Sequence, residues 1–244
     1  MPCWAVILGD CGGRKSQEHW LTKALYEEIV RVTGPPWTQD GEEVRLPIKA
    51  LHGGFLCQHH NNALSPADAE AVRCHRFLSR AVAEIKDQTL SPAIPHERVD
   101  GELIIRWLCK TTCNLETLYK RAAPEALVRR AFGAPGGGAV RVYFNSGKAT
   151  PEERDISHFQ WRRWDAQVPG VGATQVYAVR FSVKEWVLTS FPLTQRIRED
   201  FATATEGRYV LGAREVTQER LIWVNDGRRE THLLEMKFHR KRRR

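Results

Sequence analysis

The sequence feature that most constrains the fold is a cysteine and a histidine, Cys57 and His60, directly before the strongest helical pattern of the chain. Their spacing is that of a zinc knuckle, in which a short turn lets two ligands face one tetrahedral ion. Two thiols near the beginning of the chain, Cys3 and Cys11, would complete a set of four ligands. The pattern predicts a zinc ion that ties the first residues to the start of a helix. Because Cys3 and Cys11 lie further apart than the cysteines of a usual knuckle, the alternative is a core thiol at Cys3 and no bound zinc.

Apolar periodicity predicts the helices. Residues 65–87 form the clearest one, with Ser65 as its cap and Pro66 at the first helical position, where a proline is tolerated. A second helix is predicted for about 101–121, where apolar side chains form a broad stripe. A further helix is predicted to begin near Leu21 and to end before the GPP sequence. These helices belong to the first half of the chain.

Short β-rich runs provide the rest of the predicted fold. Residues 3–8 are typical of a strand that leads into a glycine turn, and residues 43–57 of two short strands around His52. Because the following runs are rich in β-branched and aromatic residues, we predict an α+β fold with a C-terminal antiparallel sheet. A glycine-rich break at 134–139 precedes these runs, which cover 139–146, 174–183, 184–191, 208–215, 220–225 and 231–238.

This change of character along the chain predicts two regions. The first, 1–133, combines the candidate zinc ligands with the helices, and the second, 139–244, is a β-rich region that could recognise a target. Two separate domains and one fused body are both compatible with the sequence. The second region ends in a basic tail, 237–244, which holds six cationic residues.

Charge and composition narrow the classes of protein. The chain carries 37 Lys and Arg against 29 Asp and Glu, a net charge of +8, which suits a polyanionic partner because neutralised phosphates release counterions. A disordered, solubilising tail is the alternative use of the terminal cations. No apolar run approaches the about 20 residues that a membrane helix needs, and no signal peptide is recognisable. We therefore expect a cytoplasmic protein whose six cysteines are thiols or metal ligands.

The first part of the chain carries a succession of motifs: Cys11-Gly12-Gly13, then Glu18-His19, then the run CQHHNN from Cys57 to Asn62, and then Leu64-Ser65 with Asp68. Their order resembles the HNH, or ββα-metal, nuclease family. In zinc-stabilised members an asparagine directly follows the last structural ligand, as Asn61 follows His60 here. The resemblance covers about residues 1–75 and implies a ββα-metal core.

The resemblance implies a role for each of these motifs. His19 would be the general base, because an imidazole with a pKa of about 6.5 is neutral and basic at working pH. Glu18 and Asn61 would be oxygen ligands of one catalytic Mg²⁺ or Mn²⁺ ion. Oxygen ligands suit a hard cation, whereas sulfur and imidazole ligands suit zinc, so that one small fold can hold both ions. The structural zinc would be held by Cys3, Cys11, Cys57 and His60.

Two departures from the family pattern leave parts of the site open. Glu18 stands where many members carry an aspartate, and its longer side chain could change the metal geometry. The third ligand of the catalytic cation has no clear counterpart, and the candidates are His59, His75 and Asp68.

Cationic side chains near these motifs are candidates for contact with nucleic acid. Arg14 and Lys15 precede Glu18, and Lys23 follows it. The segment FQWRRWD adds guanidinium groups between aromatic rings, which suits stacking on bases, although its sequence favours an amphipathic segment whose tryptophans pack on the sheet while the arginines are solvated. The predicted nucleic-acid contacts are Arg14, Lys15, Lys23, Arg162, Arg163 and, in the tail, Arg240, Lys241 and Arg242.

Two functions follow from these observations. The first is a metal-dependent endonuclease, of a restriction, defence or mobile-element type, that acts on nucleic acid and most simply on double-stranded DNA. The second is a zinc module that binds nucleic acid or a protein without catalysis, in which Glu18-His19 is incidental. A homodimer is compatible with either function, and no membrane partner is expected.

Overall fold

A computed structural model shows a mixed α+β fold, as the sequence predicts. Three α-helices lie within its described part, and the strands there form three sheets. The residues described are 2–26, 28–38, 42–89, 93–137, 140–145, 158–168, 172–181, 184–189, 214–215, 220–225 and 230–238.

The longest helix, α1 (Gln58–Lys86), begins earlier than its sequence pattern indicates. Cys57 is its N-cap, and Pro66 lies inside the helix rather than at its first position, so that the predicted start at Ser65 is wrong. The backbone N–H of Asn61 donates to the carbonyl of Cys57 at 2.9 Å, which closes the first turn. The cysteine and the histidine of the knuckle therefore belong to the first helical turn.

Two further helices pack against α1 or against each other. Helix α2 (Gly101–Leu118) begins at an N-cap, Asp100, whose side chain accepts hydrogen bonds from the N–H groups of Glu102 and Leu103. Its predicted position, about 101–121, is confirmed. Helix α3 (Glu125–Phe132), which we did not predict, ends at Gly133 in the left-handed conformation. Helix α2 contacts both other helices and its residues are almost all buried.

The strands form a two-stranded, a three-stranded and a seven-stranded sheet. The small sheet pairs β1 with β4, the seven-stranded sheet has the order β10-β6-β9-β8-β7-β2-β3, and the three-stranded sheet has the order β11-β12-β5. Their bounds are β1 (Glu18–His19), β2 (Ile29–Thr33), β3 (Glu43–Pro47), β4 (His52–Gly53), β5 (His96–Asp100), β6 (Arg141–Asn145), β7 (His158–Val168), β8 (Gly172–Phe181), β9 (Lys184–Thr189), β10 (Arg214–Glu215), β11 (Arg220–Asn225) and β12 (Glu230–Lys237).

Most of these pairs are antiparallel, but strands from the two predicted regions share the larger sheets. Strand β2 pairs in parallel with β7, and β5 pairs in parallel with β12. Each of these pairs joins a strand before the glycine-rich break to a strand after it.

Two predicted elements of the first region are wrong. The helix predicted from Leu21 is a short 3-10 turn, Lys23–Leu25, followed by strand β2, in which Val30 and Val32 are buried. This alternation has the period of a strand, and the β-branched run favours it over a helix. The strand predicted at residues 3–8 contains a 3-10 turn, Val6–Leu8, instead.

The core lies between the helices and the sheets. Trp20, Trp107 and Trp186 are its largest fully buried side chains. Strand β7 was not predicted, because its FQWRRWD sequence lacks a clean alternation, yet Phe159 and Trp161 are buried on it. No helix in the described ranges combines the length and the apolar content that a membrane span requires.

Candidate metal centre and the adjoining acidic site

Four side chains predicted as zinc ligands meet at the N-terminus of α1. The Nδ1 atom of His60 lies 3.2 Å from the Cys57 sulfur, 3.4 Å from that of Cys3 and 3.6 Å from that of Cys11. The four ligand atoms all lie within 4.8 Å of one another. The segment before β1 is held in position by backbone hydrogen bonds, since Gly12 accepts from the N–H of His59 at 3.1 Å.

The geometry of this cluster fits a tetrahedral ion. Zinc–sulfur and zinc–nitrogen bonds of about 2.3 and about 2.1 Å at a tetrahedral angle set sulfur and nitrogen about 3.6 Å apart. The three sulfur–nitrogen distances, 3.2 to 3.6 Å, agree with this separation. Three thiols and one imidazole are also a donor set that zinc favours in structural sites. The cluster could therefore hold a metal ion such as zinc.

The protonation of the thiols is consistent with a site prepared for a cation. Burial opposes ionisation of the Cys57 thiol, but backbone N–H groups of the first helical turn and of Gly12 outweigh it and lower its pKa to about 6. Desolvation, together with the neighbouring sulfurs, raises the pKa of Cys11 to about 12. One thiolate is thus available without metal, and zinc would displace the protons of the other thiols.

A carboxylate fixes the orientation of the candidate histidine ligand. The Nε2 atom of His60 lies 2.7 Å from Oδ1 of Asp10, and this hydrogen bond is the main cause that lowers the pKa of Asp10. Because the carboxylate accepts a hydrogen bond from the Nε2–H group, the proton of the neutral ring stays on Nε2. The Nδ1 atom is then free to bind a cation. A metal-binding histidine commonly has this arrangement.

We expect Asp10→Asn to weaken zinc binding about tenfold and to keep the fold. Tenfold is the lower end of the usual effect of removing a group that orients a metal ligand, and we choose it because Asp10 is exposed. Competition with a chromophoric chelator measures the affinity. Asp87→Asn, at the other end of α1, is the matched control and should bind zinc as the parent does. Equal affinities for Asp10→Asn and Asp87→Asn would show that Asp10 does not support the ligand.

The predicted catalytic motif lies beside this cluster on the small sheet. Glu18 pairs with Gly53 and His19 with His52, and the second strand, β4, leads within four residues to α1. Strands β2 and β3 lie between β1 and β4 in the chain, and α1 follows β4. Glu18 is buried, and the side chain of Asn61, in the first turn of α1, lies close enough to lower the pKa of the Glu18 carboxyl. The structure thus brings Glu18 and Asn61 together.

A lysine of α2 occupies the space where these oxygens would bind a cation. The Nζ atom of Lys110 lies 2.6 Å from Oε1 of Glu18 and 2.6 Å from Oδ2 of Asp68. Burial raises the pKa of Glu18, and the ammonium of Lys110 opposes this effect. The residues present do not fit the expected catalytic Mg²⁺ or Mn²⁺ ion in this arrangement, because their carboxylate oxygens already contact a cation.

His19 follows Glu18 on β1 and is half-buried. Its ring centroid lies 6.3 Å from that of His52 on the paired strand. Burial, followed by the charge of Lys23, lowers the pKa of His19, and Lys110 adds to the effect. The imidazole is therefore neutral at neutral pH, as a proton acceptor must be.

The three candidates for a third ligand of the catalytic cation lie in different surroundings. Asp68 adjoins Glu18 through Lys110. His59 faces Asp10 at 3.4 Å, on the side of the zinc cluster. The ring of His75 packs on Tyr26 at 5.4 Å, and burial lowers its pKa to about 4.

The residues predicted to contact nucleic acid differ in their exposure and in the ion pairs that they already form. Arg14, Lys15 and Lys23 are exposed near the small sheet. Arg163 lies 3.0 Å from the buried carboxylate of Glu116, so its charge already has a partner. Arg162, on β7, is half-buried, and the predicted tail contacts Arg240, Lys241 and Arg242 lie outside the described residues.

Sequence reasoning missed Lys110 and Asp10. Lys110 stands three positions after Trp107 in the apolar stripe of α2, and a lysine on such a stripe signals a buried charge that needs partners. Asp10 directly precedes a candidate ligand, which is where an orienting carboxylate can be expected.

Comparisons of this chain with protein-family models, with curated proteins and with solved structures found no match.

Proposed function

We propose that this chain is an endonuclease that hydrolyses phosphodiester bonds of nucleic acid, with His19 as the general base. The observation that carries the proposal is the meeting of Glu18 and Asn61, next to His19, on a β1–β4–α1 unit whose helix begins at a candidate zinc site. Residues from two separate motifs thus adjoin one another as the resemblance to ββα-metal nucleases implies.

The chemistry begins with a water molecule near the imidazole of His19. The neutral ring accepts a proton from this water as its oxygen attacks phosphorus, and the bond from phosphorus to the leaving oxygen breaks. The leaving oxygen takes up a proton from solvent, which completes the hydrolysis. The lowered pKa of His19 supports this role, because the ring has a free lone pair at neutral pH.

The zinc ion has a structural part in this proposal. Held by the three thiols and His60, it would lock the segment before β1 onto the first turn of α1. This tie supports the position of Asn61, one residue after His60, relative to Glu18. The zinc cluster would therefore act on the reaction only through the geometry of the neighbouring side chains.

Double-stranded DNA is the substrate that we propose. The net charge of +8 favours a polyanion, and the exposed Arg14, Lys15 and Lys23 surround the motif that would carry out the reaction. The resemblance also implies a catalytic Mg²⁺ or Mn²⁺ ion, but the reaction proposed here runs without it, since Lys110 contacts the carboxylate that would bind it.

Incubation of the zinc-loaded protein with supercoiled plasmid tests the proposal. Nicked and linear products should form in buffer with or without Mg²⁺ or Mn²⁺, and they should be absent when protein is omitted. If the plasmid is bound but stays supercoiled under all these conditions, the chain is a zinc module that binds nucleic acid without cleaving it.

A further inference from the structure

The ammonium of Lys110 contacts carboxylates of two other elements. Its ammonium lies 2.6 Å from a carboxylate oxygen of Glu18 on β1 and 2.6 Å from one of Asp68 on α1. Only 2% of the Lys110 side chain is exposed, against 9% for Glu18 and 22% for Asp68. The charge is therefore held inside the protein, next to the two carboxylates.

The partners of Lys110 are themselves fixed by hydrogen bonds. The other oxygen of Asp68 accepts from the hydroxyl of Thr22 at 2.7 Å, and this hydroxyl accepts from the indole N–H of Trp107 at 2.8 Å. The side chain of Asn61 adjoins the Glu18 carboxyl and lowers its pKa. Both carboxylates are thus held toward one point, which the ammonium occupies.

A divalent cation bound to the same oxygens would be in conflict with this ammonium. Mg²⁺ and Mn²⁺ favour oxygen ligands, and Mg²⁺ in particular binds them at about 2.1 Å, which would bring a second cation close to the Lys110 nitrogen. Like charges at such a separation in a buried site repel strongly, and a Lys110 ammonium displaced from both carboxylates would remain as an uncompensated buried charge.

We infer that Lys110 takes the place of a divalent cation in this site. Its ammonium forms ion pairs with Glu18 and Asp68, holds Glu18 against Asn61 and closes the position to Mg²⁺ and Mn²⁺. Lys110 acts here as a positioning residue, since it is too deeply buried to touch a phosphate. It follows that hydrolysis does not require an added divalent cation, and this consequence rests on the proposed function. The exclusion of the cation by Lys110 is independent of that function.

Binding of Mn²⁺ to the zinc-loaded protein, followed by electron paramagnetic resonance of the free ion, tests the inference without any need for activity. The parent should bind no Mn²⁺ in the acidic site. Lys110→Met removes the charge and keeps most of the length of the side chain, so that it should gain a Mn²⁺ site whose affinity lies at least about tenfold above the upper limit found for the parent. Lys86→Met, an exposed residue at the end of α1, should behave as the parent.

A double variant assigns the new site. Adding Glu18→Gln to Lys110→Met should abolish the gained Mn²⁺ binding, because a carboxylate ligand is lost. If Lys110→Met fails to fold, the parent and the single variant Glu18→Gln still test the inference. Mn²⁺ that binds to the parent and is lost in Glu18→Gln would overturn it. Folded Lys110→Met without a gain in Mn²⁺ binding would overturn it as well.

Cleavage of plasmid by the parent, with and without Mg²⁺, separates this inference from the proposed function. Equal rates in both buffers are expected. Cleavage that occurs only with Mg²⁺ would overturn the inference and leave the nuclease proposal standing. No cleavage in either buffer would remove the nuclease proposal, while the Mn²⁺ binding experiment would still decide whether Lys110 excludes the cation.

Discussion

Replacing Cys57 by serine is expected to remove the zinc ion and to destabilise the fold strongly. Zinc supplies about 10–16 kcal/mol of apparent free energy to isolated finger peptides. We expect a smaller loss here, on the order of 4 kcal/mol, because α1 and α2 retain their own packing. For a chain of this size, such a loss lowers the melting temperature by about 8–16 °C. Circular dichroism measures the melting, and elemental analysis measures zinc per chain.

The control for this prediction is a buried thiol outside the cluster. Cys74 lies on the same helix and is completely buried, but it is not one of the four candidate ligands. Cys74→Ser should lose about 1–3 kcal/mol from the burial of a hydroxyl and should keep one zinc per chain. Folded parent without zinc, or Cys57→Ser with a full equivalent of zinc, would contradict the assignment of the ligands.

Replacing His19 by alanine is expected to reduce the rate of plasmid cleavage by about 10²- to 10⁴-fold, the usual contribution of a general base. The variant should retain the zinc content and the melting temperature of the parent, because His19 is half-buried and is not a ligand of the cluster. Single-turnover rates of parent and variant, at saturating protein, measure the chemical step. The contrast with Cys57→Ser separates a catalytic residue from a structural one.

The zinc cluster could be predicted because its signal is local. Cys57 and His60 are three positions apart, and Cys3 and Cys11 were the remaining thiols outside predicted helices. Four ligands of the right chemistry restrict the geometry to one tetrahedron. The structure brings these side chains to the distances that such a tetrahedron requires.

The start of α1 was harder to predict because two signals compete there. Ser65 and Pro66 form a good helix start by themselves, and a proline usually interrupts a helix that has begun earlier. In the structure the helix begins at Gln58, where it joins the knuckle directly. The tertiary contacts of His60 with Cys3 and Cys11 therefore outweigh the local preference for a helix start at Ser65 and Pro66.

Lys110 shows why the acidic site could be predicted only in part. It is 49 positions from Asn61 and 92 from Glu18 in the sequence, and no spacing rule connects residues so far apart. The packing of α2 against α1 sets the position of its ammonium. The motif around Glu18 indicates oxygen ligands, but the identity of the cation they meet depends on this packing.

The most direct measurement of the central claim compares two histidines on the same small sheet. His19→Ala and His52→Ala, both zinc-loaded, are tested for single-turnover cleavage of one supercoiled plasmid. Because His52 pairs with His19 but has no part in the proposed reaction, its removal should leave the rate within about threefold of the parent, whereas removal of His19 should lower it about 10²-fold or more. Equal rates for the two variants would contradict the assignment of His19 as the general base.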